Sequence, residues 1–243
     1  MDDTEHGIAP SSAALTDRTV IVAGAGGQAG RAVCAALTAA GAHVVAVGSR
    51  AASLTGADGI SVDAAETAVV DLADPVAVAA WAAELRTRRP SIDGLLHLVG
   101  GWRGGSAHDD WEWLERRVLT TLRVVSRELR DDLGASSAGR LAIVSSASVA
   151  QPKWGMANYV ALKAAAEMWV QALASGWRTK GLPAAAVTFV VGALDEPGAI
   201  DDLAAACVAL WEVGHEPVNG ALVDLTVDLT ADLTADTPAE PAE

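Results

Sequence analysis

Short apolar runs alternate with longer alanine-rich stretches along this chain, and their spacing predicts the elements. The run Thr19-Val20-Ile21-Val22-Ala23 has the length and β-branched content of a strand buried on both faces. Comparable runs predict strands at 43–47, 68–71, 95–99, 141–145, 185–191 and 221–225. Between them, helical patterns cover 31–40, 75–86, 109–133, 158–179 and 200–211. Strands that alternate with helices imply a seven-stranded, mostly parallel α/β sheet, helices on both faces and right-handed crossovers. Ligands of such sheets bind outside the carboxyl ends of the strands. That rule gathers Gly24, Asp71, Gly100, Ser146 and Gly192 on one rim, with the helix at 158–179 opening beside it.

The first strand runs into Gly24-Ala25-Gly26-Gly27-Gln28-Ala29-Gly30 and then a helix. A glycine turn at a helix start lets backbone N–H groups and the positive helix end approach a pyrophosphate. Gly24, Gly27, Gln28, Ala29 and Gly30 are therefore candidate dinucleotide contacts. The second strand ends in Val47-Gly48-Ser49-Arg50, without the acid that binds a ribose 2′-hydroxyl. Ser49 and Arg50 instead suit a 2′-phosphate, which favours NADP(H), with NAD(H) possible. Asp58 and Asp63, slightly further on, are the acids that would serve NAD(H).

Tyr159 and Lys163 stand four residues apart in a helical pattern, and Ser146 follows the strand at 141–145. Positions i and i+4 share a helix face, so an ammonium beside the phenol brings its pKa nearer working pH. A serine at the adjoining strand end can hold a carbonyl oxygen within reach of that proton.

The 243 residues, 51% hydrophobic with mean hydropathy +0.28, suffice for one core. They divide into a flexible arm at 1–16, a catalytic and dinucleotide-binding domain at 17–226, and an acidic, mobile tail at 227–243. The formal charge is −14, but nine acids lie in the first ten and last twenty residues, which leaves 22 acids against 17 bases in the body. Nucleic acid and anionic membrane are thus poor partners. Cys34 and Cys207, far apart in helical patterns, suit reduced core thiols, and no metal site is expected. An acidic start and the lack of a long apolar run point to the cytoplasm.

From about Thr19 to Thr226 the pattern resembles the short-chain dehydrogenase/reductase family. The resemblance implies a single doubly wound Rossmann domain, a homodimer or homotetramer, and hydride transfer to a small carbonyl or imine-like ring. It assigns Tyr159 as general acid or base, Lys163 as ribose anchor and Ser146 as oxygen binder. It also places Asp71 and Leu72 at the adenine, Gly100 and Gly192 along the cofactor, and Val118 where many members carry a relay asparagine. Val99-Gly100-Gly101-Trp102 with Gly104-Gly105, and Leu194-Asp195-Glu196-Pro197, resemble segments of dihydropteridine reductases. Those enzymes carry threonine in place of Glu196 and generally lack the serine at Ser146. Trp102, Trp154 and Glu196 are the candidate substrate-pocket residues. His97, on the fourth strand, reads as a satisfied buried histidine.

Overall fold

A computed structural model describes residues 15–55 and 61–226. The arm and tail expected at the termini, and Asp58, lie almost wholly outside the described residues. Seven strands form one parallel sheet in the order β3-β2-β1-β4-β5-β6-β7. They are β1 (Thr19–Ala23), β2 (His43–Gly48), β3 (Glu66–Val69), β4 (Gly94–His97), β5 (Gly139–Ser146), β6 (Ala184–Val191) and β7 (Leu222–Asp224). β1 is flanked by β2 and β4, so the strand order reverses beside it and opens a crevice at their carboxyl ends.

Successive side chains of each strand point to opposite faces, which divides the core into two layers. Ile21, Val45, Leu95 and Leu141 pack with Leu85, Leu129 and Trp177 on one side. Val20, Val22, Val44, Leu96 and Phe189 pack with Val33, Leu37, Leu203 and Trp211 on the other. The first layer is closed by α3 (Pro75–Arg88), α5 (Thr121–Ala135) and α6 (Ala157–Thr179), and the second by α1 (Gln28–Ala39) and α7 (Ala199–Ala209). Continuous apolar strands follow from burial on both faces. Among the described residues no helix is long and apolar enough to cross a membrane.

Two expectations are corrected and one element is new. The helix expected across 109–133 is broken into α4 (His108–Leu114), a π-helical turn (Glu115–Thr120) and α5. At this turn the Thr121 N–H reaches back to the Arg116 carbonyl, one residue beyond the α spacing. The third strand lies two residues earlier than its apolar run suggests, because Thr67 and Val69 face outward on the edge strand. A short α2 (Ala51–Thr55) after Arg50 had no clear periodic signal.

The amino ends of the strands carry a closed polar cluster. Asp93, 1% exposed, accepts from the Thr19 N–H at 2.9 Å, from the Ser91 and Ser136 hydroxyls at 2.8 and 2.6 Å, and from Arg18 at 3.2 Å. Arg140 is buried and donates to the Leu210 and Val213 carbonyls at 2.8 and 2.9 Å. Every charge here is satisfied within the protein.

Candidate active site

The opposite rim holds a cleft of about 1020 Å³ over the reversal beside β1. One end is built by the glycine turn. Gly24 has φ +85°, and a Cβ there would stand 2.8 Å from the backbone of Leu98, so only glycine lets the turn seat against the end of β4. A Cβ on Gly30 would meet the Gly24 carbonyl at 2.4 Å. Gly30 therefore lets α1 pack onto the turn and does not face the cleft, a correction to its expected ligand contact. Gln28, first in α1 and exposed, also lies off the cleft wall. Gly24, Gly27 and Ala29 do line it. The start of α1 has no side-chain cap and no acid in its first turn, so its N–H groups are open to an anion.

Ser49 and Arg50, at the end of β2, line the adjoining wall and are exposed. Arg50 makes no ion pair among the described residues. Asp63 lies off the cleft, its carbonyl taken by Thr38 at 3.2 Å. Asp71 and Leu72 line the same region. Arg116 of the π turn donates to Asp71 at 2.5 Å, closing over this end from 45 residues away. The residues lining this end thus fit a dinucleotide: open amides at a helix start, a glycine turn with no room for a Cβ at Gly24 or Gly26, and an arginine beside the second strand.

The deep end is made by β4, β5 and α6. Ser146 ends β5 and is 6% exposed, its oxygen accepting from the Ser148 N–H at 3.2 Å. Tyr159 and Lys163 face it from α6, and the ammonium lies 5.7 Å from the phenol ring centroid. All three line the cleft, as do Gly100, Gly192 and Trp102. Sequence reasoning placed this trio together, but its electrostatics differ from expectation. Burial pushes the Tyr159 phenol above its ordinary value, and the Ser146 hydroxyl pulls it back only in part. Burial likewise pulls Lys163 down to about 8, with Glu167 opposing. Its ammonium donates to the Val144 carbonyl at 2.7 Å.

Two expected pocket residues stand outside. Trp154 is 80% exposed on a 3-10 turn, and Met156 from that turn lines the cleft in its place. Glu196 is exposed and off the cleft wall, while its neighbour Asp195 lines it.

Other groups emerge only in three dimensions. His97, 3% exposed, also lines the cleft, and its Nε2 lies 2.9 Å from the Thr121 hydroxyl. That hydroxyl donates to the Arg117 carbonyl at 2.6 Å, so its oxygen accepts and the His97 Nε2 carries the proton. Burial and Lys163 hold His97 down at about 3, and it is therefore neutral, as expected of a satisfied core histidine. Val118, in the π turn, is buried and apolar. At the mouth, Arg103 and Arg117 lie 4.2 and 4.6 Å from the ring centroid of Trp113, and Arg117 donates to the Gly100 carbonyl at 3.0 Å. These pairs come from a loop and a helix, and no sequence periodicity links them.

The family model described as short chain dehydrogenase matches residues 18–195. Among solved structures, a gluconate 5-dehydrogenase from Burkholderia cenocepacia J2315, in complex with NADP and tartrate, is similar at TM-score 0.74 and 23% identity, over 89% of this chain and 96% of that one. Levodione reductase is similar at TM-score 0.75 and 18% identity, over 87% of this chain and 97% of its own. A metagenomic short-chain oxidoreductase in complex with NADP has TM-score 0.74 and 23% identity, over 88% of this chain and all 100% of that one. No curated protein matches in sequence at a significant level.

Proposed function

The chain belongs to the short-chain dehydrogenase family, and from that premise we propose that it is an NADP(H)-dependent reductase of a small carbonyl or imine-like ring. The observation that carries the reading is one continuous cleft, with the glycine turn and Arg50 at one end and Ser146, Tyr159 and Lys163 at the other. When bound, the nicotinamide supplies or accepts the hydride. The chain's own residues do the rest. Ser146, whose oxygen accepts from the Ser148 N–H, turns its proton from the Tyr159 oxygen to the substrate oxygen when substrate binds. Tyr159, held protonated by burial, donates its proton to that oxygen or nitrogen as negative charge develops there. Lys163 stands beside the phenol, stabilises the phenolate left behind and would hold a ribose hydroxyl of the bound nucleotide.

Support for NADP(H) over NAD(H) comes from Arg50 in the cleft and Asp63 outside it. A homodimer or homotetramer is proposed from family resemblance, and a reducing, cytoplasmic setting is supported by the buried free thiols of Cys34 and Cys207.

The test is a parallel titration with NADPH and NADH, followed by assays with ketones and a quinonoid dihydropteridine. Tight NADPH binding with turnover on one of these is expected. Tyr159→Phe is expected to lose at least about a hundredfold in kcat while holding NADPH affinity within about threefold. If neither nucleotide binds, or if the variant turns over normally, the reading fails.

A further inference from the structure

Tyr159, Lys163 and Glu167 succeed one another at intervals of four, so they form a column on one face of α6, about 6 Å apart along the axis. That face lies against β5. Lys163 donates to the Val144 carbonyl at 2.7 Å, and the next residue along the strand, Ser145, donates its hydroxyl to Glu167 Oε1. Lys163 and Glu167 are each 7% exposed and Ser145 is 1% exposed, so a cation and a carboxylate share a closed interior one helical turn apart. They are not in direct contact within 4.0 Å, and Glu167 has no other ion pair among the described residues.

We infer that Glu167 is a positioning residue that keeps Lys163 protonated, acting through the lysine on Tyr159. The inference rests on the reading of Tyr159 and Lys163 as the reacting pair. A buried charge is costly unless an opposite charge lies near, and low dielectric makes a neighbour one turn away count. The groups facing Lys163 are few. From α6 come Tyr159 and Glu167, from β5 the Ser145 and Ser146 hydroxyls with the Val144 carbonyl, and from β4 the neutral His97, whose proton is committed to Thr121 on α5. Arg117 of the π turn directs its guanidinium to the Gly100 carbonyl and Trp113. Glu167 is therefore the one anion available to Lys163 among the described residues, and it opposes the burial that already brings the lysine to about 8. Without it the ammonium would lose its proton within the working pH range. A neutral lysine cannot stabilise a phenolate.

The experiment follows the side-chain nitrogen of isotope-labelled lysine by NMR as pH is raised, on the full chain without nucleotide. The chain has three lysines, and Lys153→Arg and Lys180→Arg assign the signal of Lys163. The Glu167→Gln variant keeps an acceptor for Ser145 and removes the charge, and should lower the Lys163 midpoint by about one unit or more. Glu167→Asp should restore most of it. A Lys163 midpoint that stays put or rises in Glu167→Gln overturns the inference, since loss of packing alone leaves no reason for a fall. If that variant does not fold, Glu167→Met with Ser145→Ala removes the whole polar pair, and the same fall is required. Because no nucleotide or substrate enters, failure here is distinct from failure of the reductase reading, which NADPH binding decides.

Discussion

Asp93→Ala should cost this protein about 3 to 5 kcal/mol without touching its nucleotide site. The carboxylate, 1% exposed, satisfies four donors: the Thr19 N–H, the Ser91 and Ser136 hydroxyls and Arg18. Two of these cannot turn to water, since Thr19 and Ser136 are 2% and 5% exposed. Each buried donor left unsatisfied costs about 1 to 3 kcal/mol, and a middle value of about 2 for each gives about 4 for the pair. Arg18 has a side chain 30% exposed and can be rehydrated, so its ion pair adds no more than about 1 kcal/mol. At roughly 2 to 4 °C per kcal/mol for a chain of this size, Tm should fall by about 6 to 20 °C. Urea unfolding followed by tryptophan fluorescence measures the loss, and Trp177 and Trp211, both buried, make the signal large. NADPH affinity of the folded variant should match the parent, because Asp93 lies at the amino ends of the strands. A loss below about 1 kcal/mol, with an unchanged urea slope, would show that the cluster is not what anchors β1 to β4.

Two further predictions concern the opposite rim. Arg50→Ala should weaken NADPH binding by roughly 10- to 100-fold, the worth of a charge-assisted pair to phosphate, and leave NADH within about twofold; equal losses for both nucleotides in parallel titrations would remove Arg50 from 2′-phosphate recognition. His97 is held at about 3 when folded against 6.5 ordinarily, so between those values the unfolded chain binds a proton that the folded chain refuses, and stability falls as pH falls through that window. His97→Gln keeps an N–H donor for Thr121 and removes the titration, so urea midpoints between about pH 6.5 and 4.5 should fall less steeply than the parent's, and identical slopes would contradict the buried neutral assignment.

Much of this architecture was legible because its strands are buried on both faces, which makes them short and continuously apolar. β1 and the glycine turn could be read, although α1 opens at Gln28, three residues before the expected 31, and Tyr159 and Lys163 could be read together since a spacing of four fixes their shared face. Edge and break features were harder. β3 lies at the sheet edge with Thr67 and Val69 outward, so its apolar run did not mark its ends. The π turn left no compositional mark: Leu114, Val118 and Leu122, at intervals of four, are buried in the first core layer as in a continuous helix. Trp154 and Met156 are two residues apart on a 3-10 turn, and only tertiary packing decides which of them meets the cleft. Glu167 sat at a readable spacing from Lys163. Its partner Ser145 is 22 residues away in sequence, and without that contact an acid on a long helix looks like a solvated surface group.

The two rims of the sheet differ in what they leave unsatisfied, and that difference locates function without reference to any motif. At the amino ends, Arg140 is buried with carbonyls on its guanidinium, and Asp93 has a donor at each oxygen. At the carboxyl ends, α1 begins without a side-chain cap, and Gly100 has nothing within 4 Å of where a Cβ would be. Arg50 lies there too, with no ion pair among the described residues. A folded chain gains by pairing its buried polar groups, so those at the amino ends are explained by stability alone. Uncapped amides, and an arginine without an ion pair among the described residues, line one cleft and add little to the fold that is visible there. On the proposed reading they gain their partners when a nucleotide binds, the amides at α1 and the arginine after β2 each taking a phosphate. The same logic makes Lys163 informative: a lysine pulled down to about 8 by burial costs the folded protein stability below that pH, and the cost is relieved only as pH rises toward its ordinary 10.5. A fold selected for stability alone would replace it with an apolar residue of similar length. On the proposed reading, its place beside Tyr159 and Ser146 at the floor of the cleft is the compensating gain.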